Sequence, residues 1–461
     1  MTVHQEPPTS ARRSSRERRP QGPWGALLAL PVVALVIPGS LVLAGPLRSN
    51  GWPARLLVFW IASMVVLGWI ARRPRRSPLA PGRVAPAEAG TWLLIIGLLA
   101  GLGGAFVRDL SELEAAGTLR FALVLFPLAI LAVGISTLAD SRRADLLLAG
   151  LLVGATIGGL IAIAQFVVPF DWAGLLQVPP LQSDDPSGGG SRGGFTRISG
   201  AAGHAIELGV ISGAALPLGM HMARFAATRQ ARVLAAIAVA VLVVSIPLSV
   251  SRSGVLVAIL AVGIYAVSLD NRQRLTVLVL ALAGLAVFRA AVPGLLGTVV
   301  AIFGGASTDD SITGRTEDYA LVNELWREQP VLGHGLGTFR PEEYFFLDNQ
   351  YLMALVEGGV PLLAATIAFF LLAMASARGA VRRASHPEYS SRGQAVLASI
   401  VAIAISGTFF DLFSFEQVTV MTFVLTGVAG AIWRHGVASG HPLPMPAERF
   451  RAAMSSPTAS R

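Results

Sequence analysis

FFLDNQYL, residues 345–352, puts Asp348 and Asn349 directly ahead of a long apolar run. An aspartate there has two uses. Its carboxylate can accept hydrogen bonds from the unpaired N–H groups of a first helical turn, which stabilises a helix by about 0.5–2 kcal/mol. Alternatively, it takes a proton from an attacking hydroxyl as a general base. Glu357 follows within the apolar run. It is either a polar tie between helices or part of the floor of a site. His334 stands between glycines in GHGLGTF, residues 333–339. That stretch lacks the Gly-Lys-Ser/Thr ending and the strand–turn–helix setting of a phosphate-binding loop. Its alternating glycines suit a tight turn in which backbone approaches backbone. His334 is then an incidental loop histidine or a second candidate base, and His204 in FTRISGAAGHAIELG (195–209) is a third.

Three arginines accompany these groups. Arg252 lies in SVSRSGVL (249–256), between two apolar runs; Arg315 in ITGRTEDY (312–319); and Arg197 just before the run that starts near residue 206. A guanidinium presents a planar fork of donors that fits phosphate oxygens. Arginines converging at a membrane surface could hold a lipid-linked diphosphate. Each also has a plainer role: an interfacial anchor for Arg252, an ion partner of Glu317 or Asp318 for Arg315, and a headgroup contact for Arg197.

The elements that must position these residues are apolar. The 461 residues are 53% hydrophobic and only 14% charged, against roughly 25% charged for soluble domains. Runs long enough to cross a bilayer recur throughout. Twelve spans are expected, near 24–45, 54–71, 88–107, 119–138, 146–168, 206–225, 233–250, 254–269, 275–292, 350–375, 395–413 and 418–434. The fold class is therefore an all-α integral membrane protein with a large extracytoplasmic loop, 293–349, between spans 9 and 10. Residues 1–23 read as a disordered basic cytoplasmic tail, 24–434 as the polytopic membrane domain, and 435–461 as a cytoplasmic C-terminal tail. With both termini inside, 25 arginines fall on the cytoplasmic side and 11 on the other, as the positive-inside rule requires. The net charge of +9 is thus a membrane signature and gives no reason to expect a nucleic-acid partner. The absence of cysteine excludes disulfides and thiolate chemistry, and the absence of lysine excludes a lysine nucleophile.

Acidic residues are almost absent from the span cores, which argues against a proton relay across the bilayer. Polar chemistry concentrates on the outer face, where His204 and His334 fall. Within the large loop, EDYALVNELWREQ (317–329) spaces Tyr319, Leu321 or Val322, Leu325 and Trp326 for one face of a short interfacial helix.

In order and spacing, these pieces resemble the O-antigen ligase and polymerase family of polytopic membrane glycosyltransferases. The likeness runs from about Arg197 to Gly359, within a core of about 197–375. It rests on Ser251–Gly254, Arg315, Pro330–Phe339, Asn349, Tyr351 and Leu352. The resemblance implies transfer of a glycan from a polyprenyl-diphosphate carrier to a hydroxyl of a glycan, lipid or protein acceptor. It implies cell-envelope polysaccharide biosynthesis at the outer face of the cytoplasmic (inner) membrane. No cofactor, nucleotide sugar or metal is implied, and inversion is expected. Arg252 and Arg315, with Arg197, would bind the diphosphate; His204, Asn349, Tyr351 and Glu357 would support the site. The family's histidine position holds Asp348 here. Asp348 as base, replacement by His334 or His204, and altered activity all remain open, as does ligase against polymerase. A permease or lipid-linked glycan flippase, or a catalytically silent subunit of an export complex, is the alternative.

Overall fold

The computed structural model describes residues 24–45, 47–71, 84–183, 191–192, 195–291 and 310–438. The expected basic tail, the first part of the 293–349 loop and residues 439–461 lie outside them. The described chain is mostly helical. The helices are α1 (Trp24–Val36), α2 (Pro53–Ala71), α3 (Pro86–Phe106), α4 (Glu112–Leu138), α5 (Ser141–Val167), the one-turn α6 (Trp172–Leu175), α7 (Ala205–Phe225), α8 (Arg229–Leu248), α9 (Arg252–Tyr265), α10 (Asn271–Ala291), α11 (Asp310–Glu328), α12 (Gln350–Arg383), α13 (Pro387–Ser406) and α14 (Glu416–Ala438). Among the described residues, eight are long and apolar enough to cross a membrane: α2, α3, α4, α5, α7, α8, α12 and α14. The chain is an integral membrane protein.

Two expected spans change shape. The first is helical only to Val36, because Pro38 and Gly39 divert the chain into strand β1 (Leu41–Leu43). β1 pairs antiparallel with β2 (Leu181–Ser183), Val42 opposite Gln182. The expected straight span at 350–375 is instead two arms. Gly359 breaks α12 with φ +62°, a left-handed value that suits glycine, and Pro361 follows. The Tyr351 and Phe370 rings are 6.4 Å apart, whereas 19 residues of straight helix would separate them by roughly 28 Å. The short arm, 350–358, therefore folds back along the long arm, 360–383. Its start lies level with Phe370, roughly 15 Å below the bend.

α14 forms the centre of the bundle, its apolar stretch fully buried. α3 packs along the long arm of α12 because glycine lines the contact. A Cβ at Gly97 would sit 2.6 Å from Ala365 Cβ, and one at Gly90 would sit 3.2 Å from Phe369 Cα. Most side chains of α10 face outward, Leu275, Leu278, Leu280 and Leu282 among them. Hydrogen bonds and close approaches gather the ends of α1, α3, α5, α8 and α13 with the starts of α2, α4, α7, α9, α12 and α14. Trp52 and Trp172 bind the carbonyls of Ile37 and Val36, Gly200 binds Gln165, and Ile198 binds Leu248.

Candidate active site

The start of α12 is capped by Asn349, whose Oδ1 accepts from the N–H groups of Tyr351 at 3.0 Å and Leu352 at 3.2 Å. Asp348, one residue earlier, is exposed and is not the cap. Gln350 then fastens this corner to the segment joining α13 and α14. Its N–H donates to Gly407 O at 2.8 Å, and its Oε1 accepts from Phe413 N–H at 2.7 Å. Tyr351 adds a bond from its hydroxyl to Ala404 O at 2.7 Å. These ties bring Asp411 beside Asp348. Asp411 Oδ2 accepts from the Ser414 hydroxyl, while Oδ1 is enclosed and meets no donor among the described residues. Burial pushes the Asp411 carboxyl up to about 6; Ser414 draws it down, the charge of Asp348 pushes it up further, and Arg120 draws it down. Irregular backbone at this depth is tolerated only where protein surrounds it or a cavity adjoins it.

The glycine-rich turn lies above this corner, inside the fold. Gly333, Gly335 and Gly337 have φ of +64°, +115° and +72°. A Cβ on Gly337 would meet Gly117 O at 2.6 Å, and one on Gly335 would meet Ala105 at 2.8 Å. The turn's N–H groups take the carbonyls that the break in α12 leaves open: His334 N–H donates to Val356 O at 2.8 Å and Gly335 N–H to Glu357 O at 2.9 Å. Pro330 O in return accepts from Val360 N–H at 3.1 Å. Glu357, whose carbonyl accepts from Gly335, is itself buried against the plug.

His334 is buried, with Nε2 2.9 Å from Leu325 O of α11. A carbonyl can only accept, so Nε2 carries the proton there. Arg108 holds the His334 carbonyl at 2.5 Å and Glu114 at 2.7 Å, and the Tyr344 hydroxyl reaches Glu114 at 3.2 Å. The α3–α4 turn thus clasps the outer loop. α11 docks by Val322, Leu325 and neighbours onto Phe339, Leu347, Met353 and Val356. Tyr319 and Leu321 stay exposed.

Arg252 is the first residue of α9, after the Ser251 cap. α9 meets α7 with backbone against backbone, a Cβ on Gly254 falling 2.7 Å from Gly209 Cα. Ile198 N–H bonds to Leu248 O at 3.2 Å, which brings the Arg197 segment to the same turn. His204 caps α7, Nδ1 accepting from Ile206 N–H at 3.1 Å. Burial and the neighbouring Arg197 hold its ring below the usual histidine range. Its ring lies 5.7 Å from Phe415, just ahead of α14. Glu416 at the start of α14 pairs with Arg55 and with Arg120 at 3.1 Å, and Arg120 also acts on Asp411. One polar band therefore runs from Arg197 and Arg252 around the start of α14 to Asp348. Arg315 lies on α11, and its side chain is outside the described residues.

Residues 237–367 match the family described as O-antigen ligase. Over this stretch, somewhat more than a quarter of the chain, the protein is similar to that family. A search of curated proteins gave no match. The O-antigen ligase segment contains Arg252, Arg315, His334, Asp348, Asn349, Tyr351 and Glu357; Arg197 and His204 precede it and Asp411 follows it. Asp411 is the candidate residue that sequence reasoning missed. The signal available was FFDLFSFE (409–416), the acidic link between the last two apolar runs. Arg108, Glu114 and Tyr344 carried no motif and are recognisable only by their mutual bonds.

Proposed function

We propose that this protein is a glycosyltransferase that moves a glycan from a polyprenyl diphosphate to a hydroxyl acceptor at the outer face of the inner membrane. The O-antigen ligase match supports the class and a role in polysaccharide biosynthesis. The observation that carries the site is the exposed Asp348 beside Asp411, with capping left to Asn349. In this reading Asp348 takes the acceptor's proton as its oxygen bonds to the anomeric carbon. The bond from that carbon to the diphosphate oxygen breaks, and the diphosphate leaves on its carrier. Arg252 and Arg315, with Arg197, hold the diphosphate and stabilise its growing charge. A single displacement inverts the anomeric centre. Asp411 stands at the same corner, its own carboxyl pushed up by burial and then by the charge of Asp348. His334 and His204 serve as fixings, in keeping with their backbone bonds.

Twelve crossings with both termini inside are part of the same proposal. The alternation of helix ends among α1–α5, α7–α9 and α12–α14 supports it, as does the arginine bias. The test is deletion of the protein followed by analysis of lipid-linked and surface glycans. Polymer accumulating on the carrier indicates a ligase and single repeat units indicate a polymerase; unchanged glycans would overturn the proposal.

A further inference from the structure

Three separate parts of the fold meet at His334. Its carbonyl accepts from Arg108, in the turn between α3 and α4, at 2.5 Å. Its backbone N–H donates to Val356 O, in the short arm of α12, at 2.8 Å. Its ring Nε2 donates to Leu325 O of α11 at 2.9 Å. The Glu328 carboxylate is 3.9 Å from the same nitrogen, beyond hydrogen-bond reach. His334 is only 8% exposed, so a partner lost here is poorly replaced by water. Arg108 is itself fixed. Its other terminal nitrogen donates to Glu114 at 2.7 Å, and that carboxylate also accepts from Ser111 N–H at 2.9 Å and the Tyr344 hydroxyl at 3.2 Å. Glu114 is buried. The α3–α4 turn is therefore the anchored end of this junction, and it lies outside the O-antigen ligase match. At the other end α11 docks through Val322 and Leu325 onto a cluster that includes Leu347, the neighbour of Asp348.

We propose that His334, held by Arg108, is a positioning residue: it sets α11, the helix that carries Arg315, against the segment that carries Asp348. The inference rests on the glycan-transfer reading above. In that reading α11 presents a cation to the diphosphate and Asp348 meets the acceptor, so the reaction needs one fixed spacing between them. Residues 329–349, which join α11 to α12, hold no helix or strand to set that spacing. The bonds through His334 set it instead, from the anchored turn to α11 on one side and to α12 on the other. The role needs an N–H donor at the position of Nε2 and no proton transfer. A glutamine amide supplies such a donor and cannot act as a base. Positioning and base catalysis by His334 therefore predict opposite results for one substitution.

The test is steady-state transfer by the full chain in nanodiscs. The donor is lipid-linked glycan extracted from cells lacking the protein, the acceptor is an envelope extract of the same cells, and each is varied separately. His334→Leu leaves Leu325 O without its donor. It should raise the donor KM by about ten-fold and leave the acceptor KM unchanged, as loss of one buried hydrogen bond implies. Arg108→Ala should do the same from the anchored end. His334→Gln should bring the donor KM back to within about three-fold of the parent. His334→Gln as impaired as His334→Leu overturns the proposal, because the imidazole itself is then needed. A lower kcat with both KM values unchanged also overturns it, since that marks a smaller folded fraction. A parent that transfers no glycan overturns the glycan-transfer reading and this role with it. Spin labels give a readout without substrate. The chain has no cysteine, so Leu113→Cys on α4 and Tyr319→Cys on α11, both exposed, can be labelled as a pair. His334→Leu should broaden the distance between them and His334→Gln should not. The same distribution in the parent and both variants overturns the junction.

Discussion

Replacing Asp348 by Asn separates chemistry from capping. The Asn349 side chain already bonds the N–H groups of Tyr351 and Leu352 at 3.0 and 3.2 Å, so the cap survives the change. Asp348 is exposed, and substitutions at such positions shift stability by about 0.5 kcal/mol or less. The new side chain has nearly the same volume and cannot take a proton. Loss of a general base costs roughly 10²- to 10⁴-fold in rate, which is about 3–5 kcal/mol at the transition state. Asn349→Ala is the opposite perturbation. It deletes both cap bonds and costs about 0.5–2 kcal/mol of stability, while the carboxylate stays. The assay is glycan transfer by purified protein in lipid, run beside thermal melts of both variants. Asp348→Asn should melt with the parent and transfer at least 10²-fold more slowly. Asn349→Ala should melt lower and lose much less rate. Parental transfer by Asp348→Asn would refute the base assignment. A melt lowered as far as that of Asn349→Ala would refute the division of labour.

Three further outcomes follow from the same geometry. Asp411, pushed up to about 6, binds its proton more tightly folded than unfolded, so stability from this group is lost as pH rises towards 6. Asp411→Asn should therefore raise melting temperature more at pH 8 than at pH 4; equal shifts at both pH values would count against a raised Asp411. Arg252→Ala and Arg315→Ala should abolish transfer while the protein still inserts, measured by transfer assay and membrane fractionation. Gly337→Ala adds a methyl 2.6 Å from Gly117 O at φ +72° and should destabilise the protein by about 2 kcal/mol or more, read by thermal melts.

Much of the architecture follows from local pattern. Apolar length marks the helices, and the alternating glycines of 333–339 announce close backbone contact. The fold-back of α12 was hidden for a physical reason. Residues 350–383 are apolar enough to resemble one span, and hydropathy averages across the single left-handed residue that breaks it. Gly358, Gly359 and Pro361 are visible in sequence. That the break turns the chain back depends on what fills it, and the filler is Pro330–Phe339 from the outer loop.

The same long-range dependence governs the site. Asp348 and Asp411 are 63 positions apart, and no periodicity links them. They meet because Gln350 uses its backbone on Gly407 and its side chain on Phe413. Sequence exposes the departure at Asp348, where a carboxylate of ordinary pKa near 3.9 would be a poor base at neutral pH. Asp411 is the less exposed of the two carboxylates at this corner, so it should act on transfer through Asp348. The double variant Asp348→Asn/Asp411→Asn should then lose little more rate than Asp348→Asn alone. If their losses multiply instead, the two residues act independently and the pairing is wrong.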